Sequence, residues 1–341
     1  MNRLAALIVL IVAACSGPIP APEATADINP SPSPSPAASA ETACGAPRDP
    51  IDAPTGDSIV AAIPLGCEGG AVAVAGGSVW VVPHLDRVAL RIDPDTDTVV
   101  GRVPLGDRGP GAEIDAADDM LWASVSSSSY DPDRLVRLDP ATGSIVAWVD
   151  APVGGPVIGA GFVWGHGPDG IYKIDPTTDE LSAVIDAGQC GVIPFGDRVF
   201  CIGSDVVVSI DPDTDAVTPV PGVSGLGWPI AVVDGLIWGI DGASLWAFDP
   251  DTAQIVADVT APEGLPTWSP DGIVLDGILW MTAGTQAGQP PDRLVRVNPA
   301  TRLIDCVVEV PRPESGIAAG FGSVWLSVVR QPWLLRIEPV C

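Results

Sequence analysis

The chain has 341 residues, with 43 acids against 16 basic residues and a formal charge of −27. That balance excludes a binder of nucleic acid, because a phosphate backbone attracts cationic surfaces. It fits an acidic surface that keeps an exported protein soluble; the other use of so many acids is to attract a cationic partner.

In chain order, residues 1–14 read as a signal peptide. Arg3 is the charged start and residues 4–12 are an apolar run too short to span a bilayer as a mature helix. Val12-Ala13-Ala14-Cys15 resembles a bacterial lipobox. The resemblance implies cleavage before Cys15 and lipidation of its thiol and new amino terminus. Two or three acyl chains anchor stably where one does not. An ordinary secretory signal with a chance cysteine is the alternative. The expected location is the bacterial cell envelope, exported and lipid-anchored. Residues 15–56 carry the run Pro30-Ser31-Pro32-Ser33-Pro34-Ser35-Pro36 and read as an extended linker with no core of its own.

From residue 57 onward the chain repeats itself. An aromatic recurs at Trp80, Trp122, Trp164, Phe200, Trp238, Trp280 and Trp325. An acid or amide followed by proline recurs at Asp93, Asp139, Asp175, Asp211, Asp249, Asn298 and Glu338, at intervals of 36 to 49 residues. A period near forty residues, made of short strands and turn signals, predicts a β-propeller. Residues 57–341 are therefore expected to be all-β: seven blades of four antiparallel strands around a channel. The segment 57–66, DSIVAAIPLG, matches 97–106, DTVVGRVPLG, the outer strand of the first blade. The seventh repeat ends without an outer strand. Segment 57–66 is expected to supply it and close the ring, which removes an open sheet edge.

The acid–proline pairs predict tight turns. Runs such as Asp93-Pro94-Asp95-Thr96-Asp97 also read as calcium loops, but lack the glycine and distal bidentate acid of such loops. After Cys15, six cysteines remain, and an even number in an exported chain predicts disulfides. Cys190 and Cys201 flank a turn and form the first expected pair. Cys44 with Cys341 would staple the ring closure, which leaves Cys67 with Cys306 by elimination. No cysteine or histidine cluster has zinc spacing.

Loops that enter the inner strands and loops that follow the aromatic strands share one face, around the channel mouth. From aromatic to turn takes 11 residues in the third, fourth and fifth repeats, but 17 in the second and 18 in the sixth. The extra residues, about 126–131 and 285–291, fall where binding usually resides. The inner-strand starts carry Glu68, Glu113, Asp115, Gln189, Trp228, Trp268 and Glu314. Two tryptophans facing acids across a channel suit a sugar, a peptide or a cationic small molecule. Alternatively, Trp228 and Trp268 plug the channel and the acids are solvated. The two histidines, His84 and His166, follow aromatic strands on this face but belong to different repeats. Either could act as a general base, a metal ligand or a plain loop residue.

At GSVWVVPHLDRVALRIDPDTDTVVGRVPLG and GFGSVWLSVVRQPWLLRIEP the chain resembles the YVTN/YncE-like seven-bladed propellers. It is also similar to the propeller family that includes the streptogramin (virginiamycin B) lyases. The lyase resemblance implies a magnesium-dependent His/Glu centre on the channel face. Glu68, Glu113 and Glu314 lie in that region, but no histidine stands beside the start of an inner strand in the sequence reading. The expectation is thus a non-enzymatic module, monomeric, that binds a small molecule, sugar, peptide or envelope protein on its channel face. It would contact membrane through its lipid alone and need no cofactor. A metal-dependent lyase or hydrolase, using magnesium or calcium, is the alternative.

Overall fold

The computed structural model describes residues 44, 52–84, 86–106, 111–117, 119–126, 132–242, 244–260, 267–284, 293–310, 313–328, 331–338 and 341. Of strand residues 111–112, 126, 132–133, 260, 267–271 and 313–315 it describes the backbone alone. The leader, Cys15, the proline-rich run and most of the two long loops lie outside the described residues.

The described residues form strands and turns, without a helix. The strands assemble into seven sheets of four. In six of them the strands follow chain order, each antiparallel to the next, which makes six blades at residues 70–104, 111–149, 154–185, 191–219, 228–260 and 267–309. The seventh blade takes three strands from 313–337 and its outer strand from Ile59–Pro64. Ile59 pairs with Ile337 and Pro64 with Trp333. The expected closure by the amino-terminal strand is therefore present, two residues shorter at each end than its sequence repeat.

In blade one, side-chain size and burial follow the position of each strand. The first inner strand, Gly70–Ala75, is built from glycine, alanine and valine. Small residues suit the place where neighbouring strands converge on the axis. The next strand, Ser78–Pro83, is buried at every position. It has a blade on either face, so an uninterrupted apolar run is what burial on both faces demands. The outer strand Thr98–Pro104 instead alternates exposed and half-buried residues, the period-two pattern of one wet face.

Apolar clusters sit between successive blades. Trp80 and Val82 of blade one meet Leu121, Ala123 and Val136 of blade two. Across the closure, Ile63 and Leu65 pack with Val79 and Leu90 of blade one and with Trp325 and Leu334 of blade seven. The repeated Trp80, Trp122, Trp164, Trp238 and Trp325 have no solvent exposure. They are core, as the repeat predicted.

In the first six blades the acid–proline (or Asn–Pro) turns are five-residue turns closed by their first side chain. Asp93 Oδ1 accepts from the N–H of Asp95 at 2.8 Å and of Thr96 at 3.2 Å. Asp139, Asp211, Asp249 and Asn298 repeat the arrangement. Their fifth residue is left-handed, with φ of 53° at Asp97, 57° at Asp179 and 59° at Asp215. In blades three and four its N–H returns to the first residue's carbonyl at 2.9 Å. Each first acid spends an oxygen on its own backbone, which is the chemistry of a turn cap.

In blades one, three and four the opposite end of the turn receives a cation from the previous blade. Arg137, paired with Trp122, donates to Pro176 O at 2.6 Å and Asp179 Oδ1 at 3.0 Å. Lys173, paired with Trp164, donates to Pro212 O at 2.5 Å and Asp215 Oδ1 at 2.7 Å. Arg336, paired with Trp325, donates to Pro94 O at 2.7 Å and Asp97 Oδ1 at 3.3 Å, which ties blade seven to blade one.

The disulfides correct the sequence reading in two of three pairs. Cys190–Cys201 forms as expected, with Cα atoms 5.3 Å apart. Cys44 pairs with Cys67, and Cys306 with Cys341, instead of Cys44 with Cys341 and Cys67 with Cys306. The reason is strand length. Cys67 follows the closing strand at the channel mouth, whereas Glu338 donates its N–H to Ser58 O at the strand's other end. Six strand residues separate those ends by roughly 20 Å. Cys44 approaches the mouth end, where Arg102 Nη1 lies 3.3 Å from Cys44 Sγ and 3.4 Å from Cys67 Sγ. Cys341 leaves blade seven towards blade six, whose outer strand carries Cys306 in the shared cluster with Ile337.

Candidate functional site

Strand pairing defines the channel mouth. The first residues of inner strands face the last residues of second strands: Gly70 with Pro83, Gly154 with His166, Gly191 with Ile202, Trp228 with Ile240. Glu68, Glu113, Gln189 and Trp228 therefore stand on one face, as the loop argument required.

His166 lies directly across from Gly154, at the start of an inner strand. This corrects the expectation that no histidine occupies such a place. It also has a carboxylate nearby. A Cβ at Gly155 would lie 3.1 Å from Glu113 Oε2 and 3.5 Å from His166 Cε1. Glu113 comes from blade two, where its N–H donates to the buried Ser124 Oγ at 3.0 Å. Gly155, with φ of 57°, leaves the gap between acid and imidazole open. On its other side, His166 meets Trp228 of blade five, with ring centroids 6.3 Å apart.

Trp228 reaches that far because blade four yields to it. A Cβ at Gly191 would lie 2.6 Å from Trp228 Cε3, so only glycine admits the indole there. Trp228 is nevertheless 49% exposed. Beside it is a cavity of about 300 Å³ between blades four and five, whose side chains are Gln189, Ser204, Trp228, Ile240 and Asp241. Glycines 203, 227 and 242 complete the lining. This cavity lay beyond sequence reasoning, because its residues come from four separate loops. The signal for it was the bare tryptophan at the start of an inner strand.

The remaining candidates divide. Glu68 is on the same face but only 8% exposed. Asp115 is further along its inner strand. Its Oδ2 accepts the Ile158 N–H of blade three at 2.8 Å, and burial raises its carboxyl above the ordinary value against two backbone hydrogen bonds. Asp115 therefore stitches two inner strands. Trp268 and Glu314 begin the inner strands of blades six and seven, but their side chains lie outside the described residues. His84 follows the second strand of blade one and is half-buried.

The donor set tests the magnesium centre implied by the lyase resemblance. Among the described residues, one cluster brings three possible ligand atoms together: Cys44, Cys67 and Asp86. Its sulfurs are joined as a disulfide, which removes them as thiolate ligands. Glu113 and His166 supply one carboxylate and one imidazole, and no third His, Cys, Asp or Glu among the described residues joins them within ligand distance of one another.

No family model and no curated protein matches the chain. Solved structures do. The Cps50 (Swd1) β-propeller domain of Myceliophteria thermophila is similar with a TM-score of 0.67 at 12% identity, covering 83% of this chain and 99% of that one. A chain of a mitotic checkpoint complex gives 0.64 at 11% identity, covering 85% and 95%. BamB from Moraxella catarrhalis gives 0.53 at 13% identity, covering 79% and 84%. At such identities the likeness carries the architecture: this chain has the fold of a seven-bladed β-propeller.

Proposed function

We propose that this chain is an exported, membrane-anchored binding module that holds a small ligand or a partner's exposed group at its channel mouth, without turnover. One observation carries the reading. Trp228 is half exposed on a rigid ring of blades, seated over a glycine and beside a cavity. A large aromatic kept in water, where the seven repeated aromatics of the second strands are buried, costs apolar exposure that packing does not explain. The leader and lipobox-like cysteine support a place in the bacterial envelope, and the three disulfides suit an oxidising compartment. The repeats support kinship with the YVTN/YncE-like propellers, a fold that hosts many roles.

The proximity of His166 to Glu113 favours a second reading, a metal-dependent lyase or hydrolase of the streptogramin-lyase type. An imidazole beside a carboxylate can exchange protons near neutral pH. Thermal melting of the full chain separates the two. A ligand that binds only the folded state raises the melting temperature by mass action. The binding reading predicts no change with EDTA and none on adding magnesium or calcium. A drop with EDTA, restored by one metal, would transfer the assignment to the enzyme.

A further inference from the structure

We infer that the cavity between blades four and five takes the ring of a neutral sugar, stacked on Trp228; this rests on the channel mouth being a binding site. The lining decides the chemistry. It holds one aromatic face, one carboxylate, one amide and one hydroxyl: Trp228, Asp241, Gln189 and Ser204. None of its side chains is cationic, and the chain carries a charge of −27, so an anion would enter against the field with no partner. Ile240 and Trp228 are its only apolar side chains, too few to bury an acyl chain. A quaternary cation wants several aromatic faces around it, and this lining offers one.

A pyranose matches what is left. Its axial C–H groups make a flat apolar face that lies on an indole, and its hydroxyls both donate and accept. Asp241 only accepts, while the Gln189 amide and Ser204 hydroxyl do both. The volume of about 300 Å³ is at the small end for ligand pockets and suits one ring. Glycines 203, 227 and 242 put backbone, with no side chain, against the rest of the ring. Gly191 fixes the stacking face, because any Cβ there would drive the indole out of place.

The test is titration of the full chain with the methyl glycosides of glucose, galactose, mannose and N-acetylglucosamine, with choline chloride as the cationic probe. At least one glycoside is expected to bind saturably. Trp228→Ala should weaken it at least tenfold, as loss of an aromatic stack does, and Gly191→Ala should weaken it while leaving every polar partner in place. Arg198→Ala should leave it unchanged, because Arg198 donates to Pro250 O and Asp251 Oδ1 at the blade-five turn on the opposite face. Thermal melting checks that each variant is folded. If no glycoside binds, the sugar assignment is overturned. Choline binding in its place, lost in Trp228→Ala, would keep the binding reading and replace its ligand. Glycoside binding indifferent to both Trp228→Ala and Gly191→Ala would overturn the cavity as the site.

Discussion

Lys173 shows how single residues hold this ring. It is the sole lysine of the chain and is 5% exposed. Burial of an ammonium is costly unless partners replace its water. Here a carbonyl, a carboxylate and the Phe162 ring at 4.0 Å do so. Lys173→Met should therefore cost about 2 kcal/mol in urea unfolding, the scale of charge-assisted hydrogen bonds. Arg198→Ala breaks a similar pair whose side chains are 36% and 76% exposed and should cost under about 1 kcal/mol. Equal losses would contradict the clamp. The turns add a pH dependence. Hydrogen bonds from neighbouring threonines and backbone N–H groups lower the carboxyls of Asp139, Asp175, Asp211 and Asp249 from the ordinary 3.8. Their contribution is complete above pH 3.8 and is lost as pH falls through the lowered values. Asp115 runs the other way: burial raises it, so its ionised form costs stability above 3.8. Asp115→Asn should raise the melting temperature at pH 7 and lose that advantage near pH 3; an unchanged melting temperature at pH 7 would contradict the burial argument. The recurring aromatic was legible in the sequence. The cation paired with it, and that cation's contact with the next blade's turn, were not, because the contact joins residues 39 to 42 positions apart.

At the scale of elements, the closing strand was legible because 57–66 repeats an outer strand. The cysteine pairing was not, because spacing says nothing about which end of a strand a thiol reaches. Cys306–Cys341 spans 35 residues and Cys190–Cys201 spans 11. In the chain-entropy account these loops contribute about 4 and about 3 kcal/mol, respectively. The first also fastens the last residue of the chain to a blade that is not its own. Cys306→Ser/Cys341→Ser should thus lower the melting temperature more than Cys190→Ser/Cys201→Ser. The reverse order would indicate that the ends of the ring are held by strand pairing alone.

For the whole molecule, seven blades closed on themselves leave two faces with different chemistry. One carries the acid–proline turns, whose carboxylates and carbonyls are taken up by caps and clamps. The other is the channel mouth, where Trp228, His166 and Glu113 from blades five, three and two converge over glycines. Sequence placed each of these residues on the right face, since loop order in a propeller fixes the face. It could not place them beside one another, because adjacency around the mouth depends on which glycines let side chains cross a blade. The central claim is that this mouth is the binding surface. The most direct measurement is hydrogen exchange of the full chain with and without a detergent extract of bacterial envelope. Protection confined to segments 188–191, 203–204, 227–229 and 240–242, and absent in Trp228→Ala, is the predicted result. Protection at turns 93–97 and 211–215 instead, or none anywhere, would contradict it.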